Sequence, residues 1–370
     1  MAFADDFWVI DWEMIGAVAT VLALIVAYIG LLQQFHKLSS KIDEAQKARE
    51  TVERLRGIAT GGRHSVWSQP LDLSAYWPAI EASPPAIMFG HLKGGVGKTT
   101  VAANLAAAFV KQGKRVLAID LDYQGSLSSL FLGHAGIADE NLFKEAQTRS
   151  GNLLDERRDA TYLLSVAREV DNAELARLRF ISSSYLLADV ENRLTLRWMM
   201  GETPNGVDPR LYLARLLWTE EVREAFDLVI IDTAPRLTFA FINGLCAATH
   251  IVTPTIMDGM SAISVNDMFE QLKHLKRRLS LPFDVAGVVP NRTWNSVGLT
   301  AREQRAAALI RDDALKTLGR NDILFDDAII GRNIEIQEAA GSKLAYFQAE
   351  GVQPMFDRLA AKLSERIRIP

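Results

Sequence analysis

Lys93-Gly94-Gly95-Val96-Gly97-Lys98-Thr99-Thr100 stands between a short apolar run, Ala86–Phe89, and an apolar, alanine-rich stretch from Val101 to Val110. Strand, glycine loop and helix are therefore expected in that order. Glycines are needed there because backbone N–H groups must wrap closely around phosphate oxygens at a helix N-terminus, where the helix dipole also favours anions. In such a loop Lys98 reaches the β- and γ-phosphates, and the Thr99 hydroxyl coordinates magnesium. Gly94, Gly95, Val96, Gly97, Lys98, Thr99 and Thr100 are the expected nucleotide contacts, with Mg2+ as the accompanying cation.

The loop departs from the plain G-x-x-x-x-G-K-[ST] pattern, since Leu92 stands where the first glycine belongs and a second lysine, Lys93, follows it. KGGVGKTT resembles the deviant Walker A motif of the ParA/MinD family of P-loop ATPases. The resemblance implies that Lys93 crosses a dimer interface to the nucleotide held by a partner subunit. A cation of that kind neutralises phosphate charge only in the dimer, and so ties dimerisation to ATP binding.

Further segments extend the resemblance. Arg115 to Gly125 reads as a buried strand ending in carboxylates and is similar to the family's first switch segment. By that likeness Asp122 orients the attacking water and Asp120 helps hold hydrated magnesium; Tyr123 stands where the family commonly has proline. Phe226 to Pro235 resembles the Walker B strand and second switch, with Asp232 holding magnesium through water, in keeping with ligands seated at the carboxyl ends of strands. Val285 to Arg292 and Ile329 to Ala339 match segments that lie near the base in ParA-like proteins. There Asn291, with Arg292 beside it, is the expected adenine contact, and a turn-forming Asn is the alternative. Lys93, Lys98 and Asp122 are thus assigned to catalysis, and Thr99, Asp120 and Asp232 to the metal. The resemblance spans about 86–370 and is weakest between Gly133 and Leu178, a charged stretch open to reading as a partner surface or as a solvated helical layer. A strand is expected again at Leu178 to Ser182.

Ahead of this region, Met14 to Leu32 reads MIGAVATVLALIVAYIGLL. About nineteen uncharged residues at a rise of about 1.5 Å span roughly 28 Å, a bilayer's hydrocarbon thickness. Asp5, Asp6, Asp11 and Glu13 precede it, unlike the basic start of a signal peptide. His36, Lys37, Lys41, Lys47 and Arg49 follow it, so the positive-inside rule puts the N-terminus outside and the rest in the cytoplasm, beneath an inner membrane. Leu31, Phe35, Leu38, Ile42, Ala45, Val52 and Leu55 then recur at spacings of three and four, broken by Arg49, as in a short coiled coil or a single amphipathic helix. Gly57, Gly61 and Gly62 are expected to end it. Pro70, Pro78 and Pro84-Pro85 exclude a long helix between there and the ATPase region. The expected organisation is an extracytoplasmic 1–13, a transmembrane helix 14–32, a juxtamembrane helix 33–60, a connector 61–85, and a doubly wound, mostly parallel α/β domain over 86–370.

With 49% hydrophobic residues the chain carries material for a packed core, and its net charge of −4 argues against a protein built mainly to bind polyanions. The single cysteine, Cys246, excludes an internal disulfide and the two thiolates per subunit that the related nitrogenase iron protein needs. Lys273, His274, Lys276, Arg277 and Arg278 form a basic run suited to phosphates; DNA, anionic lipid and a solvated helix face are its open readings, nucleic acid not being favoured. Met355, Phe356, Leu359, Leu363 and Ile367 have helical spacing, as a membrane-binding helix or, preferred here, a packed terminal one. Together with the apolar anchor, the resemblance implies a membrane-tethered ATPase whose ATP homodimer recruits or positions a partner (DNA, envelope machinery or a defence assembly) and releases it on hydrolysis. The alternatives are an ATP-stabilised membrane scaffold and a membrane-linked tyrosine kinase, the latter disfavoured because the last tyrosine is Tyr346.

Overall fold

The computed structural model describes residues 12–60, 67–136, 149–203, 206–339, 343–367 and 369, so the expected extracytoplasmic 1–13 falls almost wholly outside the described residues. The chain divides into two units, Met1–Thr60 and Gly61–Pro370. The first is a single helix, Trp12–Thr60. Its segment from Leu22 onward is long and apolar enough to cross a membrane, and none of it is buried. The helix runs through Gly57 to Thr60 rather than faltering at the first glycine, because an isolated Gly costs a helix only about 1 kcal/mol. Phe35, Leu38, Ile42, Val52 and Leu55 are exposed along it.

The second unit is built on one sheet of eight strands: β1 (Ala86–Phe89), β2 (Val116–Leu121), β3 (Arg168–Glu169), β4 (Leu178–Ile181), β5 (Leu228–Thr233), β6 (His250–Ile256), β7 (Asp284–Thr293) and β8 (Ile330–Gly331). Their order is β3-β4-β2-β5-β1-β6-β7-β8. Every pairing is parallel except β3 with β4. β1, β2 and β5 are buried at every position, which explains their unbroken apolar runs: with helices on both faces, a central parallel strand has no solvated side to alternate toward. The helix Lys98–Lys111 packs against the core on one face, under the terminal helix Gln353–Ile367. Met355, Phe356, Leu359, Leu363 and Ile367 are all buried there, as a packed terminal helix requires. The helix Phe239–Ala247, buried throughout, packs on the sheet through β1, β2 and β5.

The expected connector is revised from residue 67 onward. Trp67, Leu71, Leu73 and Ile80 are buried, and a short helix, Trp77–Ala82, forms with Pro78 in its first turn, where proline costs no hydrogen bond. Trp67 stacks on Trp198 at 5.5 Å and meets Phe239 edge-on at 5.8 Å. Arg210, 1% exposed, donates from Nη1 to the carbonyls of Trp67 and Gln69 at 3.0 and 2.7 Å while its other nitrogens hold Asp208. The proline spacing excluded a long helix but carried no information about these distant partners.

Candidate functional site

Sheet register assembles the site. β5 lies between β2 and β1, and the pairing sets Asp120 level with Asp232 on one side and Phe89 level with Asp232 on the other. The loop leaving β1 therefore begins beside the carboxylate that ends β5. Gly95 and Gly97 take left-handed backbone angles, φ +75° and +89°, which let the loop double back before the helix starts at Lys98. Val96 is fully buried and anchors the loop.

Thr99 Oγ1 donates to Asp232 Oδ2 at 2.7 Å, and the other oxygen of that carboxylate, buried, has no hydrogen-bond partner. Burial first, then the neighbouring Asp120, pushes the Asp232 pKa up to about 8. Burial likewise pulls the Lys98 ammonium down, against the opposing pull of Asp232 and Asp122. Asp120, fully buried, is raised to about 6, although its Oδ2 accepts from the amide and hydroxyl of Ser128 at 2.9 and 2.7 Å and its Oδ1 from the amide of Asp122 at 3.0 Å. Ser128 Oγ in turn accepts from Ser183 N at 3.0 Å, tying the first switch segment to the end of β4. Asp122 accepts from Gln124 N at 3.0 Å and lines the cavity.

That cavity, about 600 Å³, is walled by Gly94, Gly95, Gly97, Lys98, Thr99 and Thr100 on one side and by Asp122, Tyr123, Pro235 and Arg236 on the other. The residues present fit a magnesium nucleotide. A glycine loop opens a helix on the cavity, a half-satisfied buried carboxylate lies beside a threonine hydroxyl, and two buried acids face each other across adjacent strands. Among the described residues no cluster of three or more His, Cys, Asp or Glu forms a metal cage by itself. Magnesium is commonly held by one or two carboxylates plus substrate phosphates, so this donor set suits it.

Two assigned residues sit differently from the rest. Lys93 donates from Nζ to Ser261 Oγ at 2.9 Å, at the start of the helix Gly259–Leu279, and does not line the cavity. Asn291 braces the loop from behind: Nδ2 donates to the Val96 carbonyl at 2.8 Å and Oδ1 accepts from Arg292 N at 3.0 Å, so both ends of its amide are engaged. Each end of the amide keeps a second donor or acceptor beyond these bonds. Arg292 has φ +56° and sits within β7, where its register with β8 shifts between Asn291 and Thr293.

The basic run lies in the last two turns of the helix that begins beside Ser261. At about 1.5 Å per residue it is roughly 18–25 Å further along the axis, and the fold does not bring it to the nucleotide cavity. Sequence reasoning missed His91, Ser128, Arg236 and Ser261. His91 is fully buried, accepts from Lys93 N at 2.9 Å through Nδ1, and is held neutral by burial and by Lys98 and Lys93, its pKa lowered to about 4. Only adjacency to the loop marked His91 beforehand; Ser128 folds back from the helix after β2, while Arg236 and Ser261 reach the site through pairings between distant strands.

Comparison with known proteins agrees with this arrangement. The profile of the family described as AAA domain matches residues 85–285. An uncharacterised protein of Mycobacterium tuberculosis is 28% identical over 271 residues, 73% of each chain. SopA of Escherichia coli is 31% identical over 204 residues, covering 55% of this chain and 49% of SopA. The chromosome-partitioning ATPase Soj of Treponema pallidum is 26% identical over 202 residues, covering 55% of this chain and 69% of Soj. Among solved structures, a Cyanothece McdA–ATP complex superposes with a TM-score of 0.59 at 19% identity, covering 78% of this chain and 98% of McdA. A plasmid partition protein of Borrelia burgdorferi bound to AMPPNP gives 0.54 at 20% identity, covering 77% and 100%. Cobyrinic acid a,c-diamide synthase of Mycobacterium smegmatis, with an ATP analogue and magnesium, gives 0.51 at 22% identity, covering 72% and 96%.

Proposed function

The chain belongs to the ParA/MinD family of P-loop ATPases, and from that premise we propose that it is a membrane-anchored nucleotide switch. In this reading it dimerises around ATP, holds a partner in that state and releases it after hydrolysis. The observation that carries the reading is the division of labour between the two loop lysines. Lys98 is buried in its own cavity beside Asp232, whereas Lys93 rests on a neutral hydroxyl outside it. A hydrogen bond to a serine at a helix N-terminus, where the dipole disfavours a cation, is readily exchanged for a partner subunit's phosphate.

With a magnesium nucleotide bound, the loop amides and Lys98 would hold the phosphates, Thr99 and Asp232 would hold the metal with Asp120 behind them, and Asp122 would orient water for attack. Magnesium held there would supply charge neutralisation to the phosphates. Asp122 suits its task because it lines the cavity from a turn whose base is locked by Asp120 and Ser128.

The helix Trp12–Thr60 supports permanent anchoring: its exposed apolar stretch from Leu22 is one that water does not favour and a bilayer does. An anchored ATPase cannot leave the membrane with each cycle, so only its partner cycles. The tyrosine-kinase alternative is weakened by Tyr346, which is 2% exposed and donates to Asp357 at 2.7 Å, out of reach of a phosphoryl donor.

The test is co-purification from native membranes in ATP, comparing wild type with Asp122→Ala and Lys93→Ala and identifying all bound protein and nucleic acid. A partner enriched by Asp122→Ala and lost with Lys93→Ala is the expected result. Equal recovery from all three would overturn the switch and leave a membrane scaffold.

A further inference from the structure

Arg236 follows β5 by three residues and shares the wall of the phosphate cavity with Pro235 and Tyr123. The opposite wall is the glycine loop: a Cβ placed on Gly94 would meet the Pro235 ring at 3.9 Å, so this segment lies directly across from the loop's first turn. The Arg236 side chain is exposed, and among the described residues no carboxylate lies within ion-pair distance of it. Its guanidinium carbon sits 5.2 Å from the centre of the Tyr123 ring. Tyr123 belongs to the segment carrying Asp122, and Arg236 to the segment following Asp232, so this contact joins the segments that follow β2 and β5 within the wall facing the glycine loop.

The nearby acids do not account for the arginine. Glu191 is buried, with one oxygen accepting from Ala240 N at 2.9 Å, and it is near enough to feel Arg236 only as a field. Asp122 is occupied by Gln124 N on one oxygen. A guanidinium carries five donors in a planar fork matched to phosphate oxygens. Here it lines the nucleotide cavity with its guanidinium over a ring face, a contact weak enough at an exposed site to be given up for an anion.

We propose that Arg236 is a further phosphate-binding residue that reads the terminal phosphate of the nucleotide, parked on Tyr123 until that phosphate arrives. The proposal rests on the ATPase reading above and adds to it a means of telling a triphosphate from a diphosphate within one subunit. On binding, the guanidinium leaves the ring and donates to terminal-phosphate oxygens, drawing the segment after β5 toward Asp122. A diphosphate ends short of that reach and leaves Arg236 on Tyr123.

The experiment measures binding of a non-hydrolysable ATP analogue and of ADP, each with magnesium, to the full chain in nanodiscs. All arms carry Lys93→Ala, which removes any contribution made through a partner subunit. Arg236→Ala is expected to weaken the triphosphate at least about tenfold, the loss of a charge-assisted hydrogen bond, while ADP changes less than about twofold. Arg236→Lys should recover part of the loss, since an ammonium supplies charge without the fork. Equal weakening of both nucleotides, or of neither, overturns the proposal. Lys98→Ala serves as the separate check on the underlying reading: if it leaves both nucleotides bound as in the parent, the ATPase site itself has been misassigned, whatever Arg236 does.

Discussion

Replacing Gly97 by alanine tests whether the phosphate loop is held from behind as well as shaped by its glycines. At φ +89° an L side chain costs about 1–2 kcal/mol of backbone strain. The added Cβ would also stand 2.2 Å from Asn291 Nδ2. That amide cannot swing aside cheaply, since it is 5% exposed, donates to Val96 at 2.8 Å and accepts from Arg292 at 3.0 Å. Displacing it leaves a buried polar group unsatisfied, about 1–3 kcal/mol. The two contributions give a loss of about 2–5 kcal/mol for Gly97→Ala. In an Asn291→Ala background the bracing bond is already gone and the space is open, so the same substitution should cost only the strain, about 1–2 kcal/mol. The cycle therefore predicts a coupling of about 1–3 kcal/mol between residues 194 positions apart in sequence. Urea unfolding of the four chains in detergent, followed by tryptophan fluorescence, measures it. Equal losses in the two backgrounds would show that Asn291 does not press on Gly97, and the account of the loop's rear support would be wrong.

Asp232 makes stability depend on pH in an unusual direction: a buried carboxyl raised from 3.8 to about 8 favours the folded state when protonated. Without a bound cation, stability should therefore fall as pH rises through that window, and Asp232→Asn should flatten the profile of urea midpoints. Binding of a magnesium nucleotide at neutral pH should release a proton from the same group, seen as a buffer-dependent heat in calorimetry and absent in Asp232→Asn. Gly125→Ala places a Cβ 2.8 Å from the Ser183 carbonyl at φ +63° and should cost about 2 kcal/mol or more; it should also slow hydrolysis more than it weakens binding, because it disturbs the Asp122 turn and leaves the loop alone. Leu24→Arg with Val26→Arg should move the protein from the integral to the extractable membrane fraction, since each central arginine costs about 2.5–3.5 kcal/mol on insertion scales; unchanged retention would end the spanning reading of this helix.

The glycine loop, the carboxylate-ended strands and the apolar N-terminal stretch were legible in one dimension because each depends on local chemistry. Close phosphate approach requires glycines, a doubly covered strand requires an unbroken apolar run, and a long uninterrupted run of helix-compatible residues gives a continuous helix. KGGVGKTT therefore pointed to a nucleotide fold, and the apolar runs ending in Asp120 and Asp232 to strands beside it.

What the residues around those motifs do was decided by pairings between strands far apart in sequence. Register alone put Asp120 beside Asp232, turning two strand-end acids into a mutually repelling buried pair. β7, arriving from the other half of the sheet, placed Asn291 against the loop's back. The helix after β6 brought Ser261 to Lys93, and the turn after β5 set Arg236 over Tyr123. Trp67 shows the same limit: among prolines and serines it reads as linker, and it became core only because Trp198, Arg210 and Phe239 converge on it. Sequence patterns report a residue's own preference for water, backbone angle or charge, whereas its partner is chosen by how the whole sheet closes.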